Sequence, residues 1–142
     1  AADYEEQMRS LDENQLPIDE ENGLPVFDLI LLGMGADGHV GSIYPNSEAA
    51  NDETGACVLA VDMPGKKSIT MSMPLINTAD RVVVAATGEG KAETVRAALE
   101  DELEWGELPG SMVDAFSTIW FLDMGAASKL SAYEDMDDDD EE

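Results

Sequence analysis

Two periods of hydrophobic position alternate along this chain. From Phe27 to Met34 the apolar side chains are nearly continuous and mostly branched, as in a strand buried on both faces. Cys57 to Asp62, Ser68 to Met73, Arg81 to Ala86 and Thr118 to Leu122 read as further strands. Between them the period lengthens to that of a helix. Gly88 to Glu100 places Ala92, Val95, Ala98 and Leu99 on one face. Glu89 and Glu93 near its start suit the positive end of the helix dipole. Ala1 to Leu11 does the same with Tyr4, Met8 and Leu11. Pro74 to Thr78 reads as a short helix opened by proline in its first turn, and Gly125 to Ala132 as a last one. Polar stretches with Gly, Pro and Asn separate these elements. Asp12 to Pro25 reads as a solvated connector, Gly35 to Ser42 and Tyr44 to Gly55 as loops, Pro64 to Lys67 as a turn, and Leu108 to Met112 as a loop. Strands alternating with helices predict an α/β domain built on a parallel sheet flanked by helices. The expected division is 1–25 as helix and connector, 26–133 as the α/β domain, and 134–142 as an acidic tail.

Charge changes this picture mainly at the two ends. The 142 residues carry 32 acids, seven Lys or Arg, and a formal charge of −25. Eight acids and one Arg fall in residues 1–25, and eight acids with no base fall in residues 134–142. The segment from Asp137 to Glu142 has too little apolar surface to order itself and is expected to be disordered. The acidity excludes nucleic acid as a partner, because phosphate backbones are bound by Lys and Arg. It disfavours an anionic membrane surface for the same reason, and no apolar run is long enough for a membrane helix. The single Cys57 allows no internal disulfide and reads as a buried packing residue.

Candidate chemistry concentrates after the first strand. The run Phe27-Asp28-Leu29-Ile30-Leu31-Leu32-Gly33-Met34-Gly35-Ala36-Asp37-Gly38-His39 ends in three glycines, one carboxylate and the only histidine. The C-terminal ends of parallel strands are where open α/β sheets place ligands. An imidazole delivered there is a candidate general base, and Asp37 could orient it. The amides around Gly33, Gly35 and Gly38 could form an anion nest. Read without further context, His39 is equally a hydrogen-bonded surface residue and Asp37 a turn cap. Lys91 lies where a helix follows a strand, a position that favours anions, or it is an exposed lysine paired with Glu. Arg81 reads as structural. Ser42 reads as a loop hydrogen-bonder, since no Gly-x-Ser-x-Gly elbow surrounds it. One His with scattered carboxylates forms no metal-ligand cluster, so neither metal nor cofactor is expected.

Gly33-Met34-Gly35-Ala36-Asp37-Gly38-His39 followed by Ser42-Ile43-Tyr44-Pro45 resembles the signature of the 6-phosphogluconolactonase family. Ile69-Thr70-Met71-Ser72-Met73-Pro74-Leu75-Ile76-Asn77, then Ala86-Thr87-Gly88-Glu89-Gly90-Lys91-Ala92-Glu93, then Trp120-Phe121-Leu122-Asp123 resemble its later segments, in the family's order. The related glucosamine-6-phosphate deaminases continue with Asn-Glu-Pro after Gly-His, where this chain has Ser-Ile-Tyr-Pro. The resemblance implies a Rossmann-like fold and hydrolysis of 6-phospho-D-glucono-1,5-lactone, a small sugar-phosphate lactone, to 6-phosphogluconate. It implies His39 as the base with Asp37 beside it, and Lys91 with Gly33, Gly35 and Gly38 at the substrate. It suggests the cytoplasm, with a plastid as the alternative compartment.

The chain also departs from the family's pattern. The Arg that usually precedes Ile-Thr is Ser68 here, with Lys66 and Lys67 just upstream as candidates to replace the lost cation. The family's Ser-Gly-Gly phosphate loop and Asp-Glu-Arg segment, which lie in an N-terminal half, have no counterpart in these residues. The expectation is therefore the C-terminal part of a lactonase-like protein. The alternatives are an isomerase or deaminase of the same superfamily, or a non-catalytic remnant that binds sugar phosphate.

Overall fold

The computed structural model describes residues 1–132, so expectations for the acidic tail at 134–142 lie outside the described residues. Three strands form a parallel sheet: β1 (Ile30–Gly33), β4 (Arg81–Ala86) and β5 (Ser117–Leu122), in the order β1-β4-β5. Ile30 lies opposite Val82, and Val82 opposite Thr118. Between β1 and β4 the chain makes a separate antiparallel hairpin, β2 (Val58–Met63) and β3 (Lys66–Met71). The parallel α/β sheet expected from the sequence is therefore present, but two of the five strands among the described residues stand outside it. The hairpin closes through Pro64-Gly65, with Gly65 at φ +74°, the conformation that a proline-glycine turn favours at its second central residue. This shortens the expected turn and starts β3 two residues early, at Lys66.

Five α-helices complete the described residues: α1 (Ala2–Arg9), α2 (Met73–Thr78), α3 (Ala92–Glu100), α4 (Pro109–Met112) and α5 (Met124–Ala127). A 3₁₀ turn, Glu89–Lys91, leads into α3. Ser72 caps α2, its hydroxyl accepting from the Leu75 amide at 3.3 Å, and Asp123 caps α5, accepting from the Ala126 amide at 2.8 Å.

The main core lies on one face of the sheet. Ile30, Leu32, Val82, Val84 and Ala86 are buried there against Met73 and Ile76 of α2, Val95 of α3, Met112 of α4 and Ala126 of α5. Alternation along each strand sends the other side chains to the opposite face. Leu31 is 71% exposed there and Phe121 62%. The apolar run at Phe27–Met34 led to the expectation of a strand buried on both sides. Only Ile30–Gly33 is strand, because β4, its single partner, begins at Arg81, and only one face is covered. Leu99, expected on the inner face of α3, is likewise exposed.

A second, smaller core corrects the reading of the connector. Leu16, Leu24 and Pro25 are buried, the first two packing with Met8, Cys57, Val58 and Leu75. The segment folds back on itself, with the Val26 amide donating to Pro17 O at 2.8 Å and the Asp19 amide to Leu24 O at 2.9 Å. Glu5 fastens α1 to this layer by accepting from the Cys57 amide at 3.0 Å, while Arg9 donates to the Cys57 sulfur at 3.1 Å. Desolvation acts to raise the Glu5 pKa, but Arg9 and the Cys57 and Val58 amides outweigh it and hold it below the usual carboxylate value. α1 ends at Arg9, so Leu11 lies beyond the helix and is exposed, as is Tyr4.

Candidate functional site

β1 delivers the glycine-rich turn to the C-terminal edge of the parallel sheet. Met34, buried at 2%, donates its amide to Ala85 O of β4 at 3.3 Å and anchors the turn to the sheet. The chain reverses over four residues, and the Gly35 amide donates to His39 O at 2.9 Å. Val40 and Ile43, both fully buried, nail the far side of the loop into the main core. The Thr94 hydroxyl of α3 donates to Ala36 O at 2.7 Å, and the Gly110 amide of α4 to Gly38 O at 2.9 Å. The hydroxyl of Thr70 on β3 accepts from the Ser42 amide at 3.1 Å. Four elements thus hold a loop that carries no regular structure itself.

His39 and Asp37 meet inside this loop. His39 Nδ1 lies 2.5 Å from Asp37 Oδ1, and the His39 amide donates to the same oxygen at 3.0 Å. With a carboxylate accepting at Nδ1, the proton belongs on Nδ1 and the Nε2 lone pair is left to accept. Partial desolvation acts to raise the Asp37 pKa, but the His39 amide and imidazole outweigh it and hold Asp37 below the usual carboxylate value. Both side chains remain partly exposed, at 33% for His39 and 48% for Asp37, so solvent and a ligand can reach the ring. Tyr44 stacks on the imidazole, with ring centroids 4.7 Å apart at a 34° tilt.

The three candidate glycines do different work. Gly35 lies directly beneath the pair, where a Cβ would land on the His39 ring. Gly38, at φ +88°, takes a left-handed conformation, and a Cβ there would come within 2.7 Å of Leu108. Gly33 is exposed at the end of β1. The expected amide nest is largely spent within the fold, since Met34, Gly35 and Gly38 already donate to Ala85, His39 and Gly35 carbonyls. Lys91 lies at the entry to α3, three residues before Thr94, and among the described residues no hydrogen bond or ion pair joins its side chain to the loop.

Three contacts escaped the sequence reading. Tyr44 was visible only as part of the Ser-Ile-Tyr-Pro run. Asp123 was visible only as the end of the Trp120–Asp123 segment, and Thr94 carried no local signal. Asp123 accepts from the Gly88 amide at 3.0 Å and ties the end of β5 to the exit of β4. Bonds from the Ala126 and Gly88 amides hold its pKa low. Among the described residues, no three His, Cys, Asp or Glu side chains converge as metal ligands would, and no helix is long and apolar enough to cross a membrane. A groove of about 490 Å³ lies elsewhere, between α1 and the folded connector, lined by Tyr4, Met8, Leu16 and Phe27 among others.

A histidine-carboxylate pair at the C-terminal edge of a parallel sheet defines an α/β protein with a candidate site for proton transfer. Residues 1–120 match the model of the glucosamine-6-phosphate isomerase/6-phosphogluconolactonase family, and the chain belongs to that family. It is 37% identical over 144 residues to the probable 6-phosphogluconolactonase 2 of Oryza sativa subsp. indica, covering 95% of this chain and 51% of the relative. It is 42% identical over 135 residues to the chloroplastic 6-phosphogluconolactonase 3 of Arabidopsis thaliana, covering 92% of this chain and 41% of the relative. The crystal structure of 6-phosphogluconolactonase from Leishmania guyanensis superposes with a TM-score of 0.72 at 35% identity, over 91% of this chain and 51% of that one. The chain therefore spans about half the length of the relatives it matches.

Proposed function

We propose that this chain carries the water-activating part of a 6-phosphogluconolactonase. The reaction is hydrolysis of 6-phospho-D-glucono-1,5-lactone to 6-phosphogluconate, in the oxidative pentose phosphate pathway. The observation that carries this reading is the Asp37–His39 pair, which commits Nδ1 and leaves the Nε2 lone pair to accept on a side chain that is partly exposed. His39 Nε2 takes a proton from water as the water oxygen attacks the lactone carbonyl. The tetrahedral oxyanion then collapses, the bond to the ring oxygen breaks, and the imidazolium returns its proton to that oxygen. Asp37 stabilises the imidazolium between the two steps. Gly33 lines the approach of the sugar, Gly35 and Gly38 let the loop hold the pair beneath it, and Lys91, at the entry to α3, meets its phosphate.

A companion half completes this site. Two facts support it: the relatives are about twice as long as the stretch they share with this chain, and one face of the sheet is apolar and exposed. The compartment proposed is the cytoplasm or a plastid, the latter in line with the name of the Arabidopsis relative.

The test is His39→Ala in the chain complemented by the N-terminal half of a relative. Turnover should fall by about 10²-fold or more with folding unchanged. A variant that keeps the full rate above spontaneous hydrolysis would remove His39 from the mechanism.

A further inference from the structure

Bases are scarce in this chain, at seven against 32 acids, and most of them are already engaged with carboxylates. Arg9 meets Glu5 at 3.1 Å, Lys67 meets Asp62 at 3.9 Å, Arg96 meets Asp101 at 3.6 Å and Lys129 meets Glu93 at 2.9 Å. Lys66 does not follow this pattern. Its ammonium sits 3.8 Å from the centroid of the Tyr44 ring, and Tyr44 is the ring that stacks on His39. An aromatic face holds a cation without cancelling its charge, so the ammonium keeps its donors for an incoming anion.

Strand register sets this placement. Successive residues of a strand point to opposite faces, so Lys66 and Thr70 share a side and Lys67 points away. Thr70 is the residue whose hydroxyl accepts from the Ser42 amide, which fixes that side of β3 against the Ser42–Tyr44 loop. Lys67, one residue along, reaches Asp62 on its cross-strand partner position instead.

We propose that Lys66, held on the Tyr44 ring beside His39, is a specificity-determining residue that contacts the phosphate of the substrate. This rests on the reading of the site as one that takes a phosphorylated sugar. A phosphate dianion has acceptor oxygens for both Lys66 and Lys91, so the two lysines need not compete. Tyr44 is a positioning residue in this arrangement, acting on the ammonium and on the imidazole alike.

The experiment titrates glucose 6-phosphate and, separately, glucose into the full chain while the NMR signals of the His39 imidazole and the Tyr44 ring are followed. Glucose 6-phosphate should move both signals and glucose neither. Lys66→Ala should weaken the response to glucose 6-phosphate by about tenfold, the low end for a hydrogen bond to a charged group. Lys66→Arg should retain it, since a guanidinium also stacks on an aromatic face. Tyr44→Phe should keep the affinity and Tyr44→Leu lower it. Lys67→Ala, which removes the same charge from the same hairpin, should leave it unchanged. Equal losses in Lys66→Ala and Lys67→Ala, no loss in Lys66→Ala, or no response of the unsubstituted chain to glucose 6-phosphate would each overturn the assignment. Lys66-dependent binding without lactone hydrolysis in the complemented protein would instead remove the proposed reaction and leave the phosphate contact standing.

Discussion

The two faces of the parallel sheet are made from the same strands and nearly the same residue types, yet they have opposite environments. Ile30, Leu32, Val82 and Val84 are at most 7% exposed, while Leu31, one residue away, is 71% exposed and Phe121 is 62% exposed. The covered face gets its cover from local sequence: helices α2, α3, α4 and α5 all follow strands or loops that return to it. The loop that carries His39 grows from that covered side through Met34, Val40 and Ile43. The open face has an equally apolar surface with nothing of the described chain upon it. The loop's anchors thus all lie on the covered side, and none of them comes from the open face.

Neighbouring residues of β1 offer the largest contrast. Leu32→Ala should cost about 2–5 kcal/mol in urea unfolding, as core truncations do, whereas Leu31→Ala should cost almost nothing in the chain alone. Similar losses at the two positions would mean that the open face is covered in solution.

Gly35→Ala tests the covered side at the site itself. The added methyl meets the His39 ring, so the pair must separate while the core beneath remains. The His39 ring signals should lose their Nδ1–H tautomer, and complemented activity should fall by about as much as for His39→Ala. Retention of the tautomer would show that the loop yields more easily than its four anchors suggest.

Acid should loosen the same pair. The Asp37 pKa is held below its ordinary value by the His39 amide and imidazole against partial desolvation. Its contribution to stability is therefore fully present above the unfolded carboxylate value and is lost as pH falls through the lower folded one. Asp37→Asn should flatten that acid limb of stability, measured by urea unfolding at a series of pH values. An unchanged limb would place the pair's stabilisation elsewhere.

The smallest expected effect is on the open face. Phe121→Lys should reduce self-association of the chain in sedimentation while leaving its unfolding midpoint nearly unchanged. A large drop in that midpoint would mean Phe121 packs within the fold.

Much of this was legible in the sequence because it is local. The turn chemistry of Gly33–His39, the proline-opened helix α2 and the valine-rich β4 each follow from spacing over a few residues. The Asp37–His39 pair, two residues apart, was visible for the same reason. What escaped depends on partners distant along the chain. Apolar composition at Leu31 cannot say which face a neighbour covers. Pairing of β2 with β3 rather than with the parallel sheet is decided by the tight Pro64-Gly65 turn, which favours the nearest strand. The acids of the connector predict a solvated segment, but Leu16 and Leu24 find Met8 and Cys57 once the chain folds. Thr94 reaches the loop from another element with nothing in its local sequence to mark it, while Tyr44 and Lys66 were marked only through the resemblance and not by any sign that they would meet.

The most direct measurement is the rate of 6-phosphoglucono-lactone hydrolysis by this chain alone and with a relative's N-terminal half added as a second polypeptide. Alone, the chain should barely exceed the spontaneous rate, because His39 is in place while the cover of the open face and much of the positioning are not. With the companion half, hydrolysis should become saturable, and His39→Ala should abolish the gain. Efficient, saturable hydrolysis by the chain alone as a monomer would contradict this, as would complementation that survives the loss of His39.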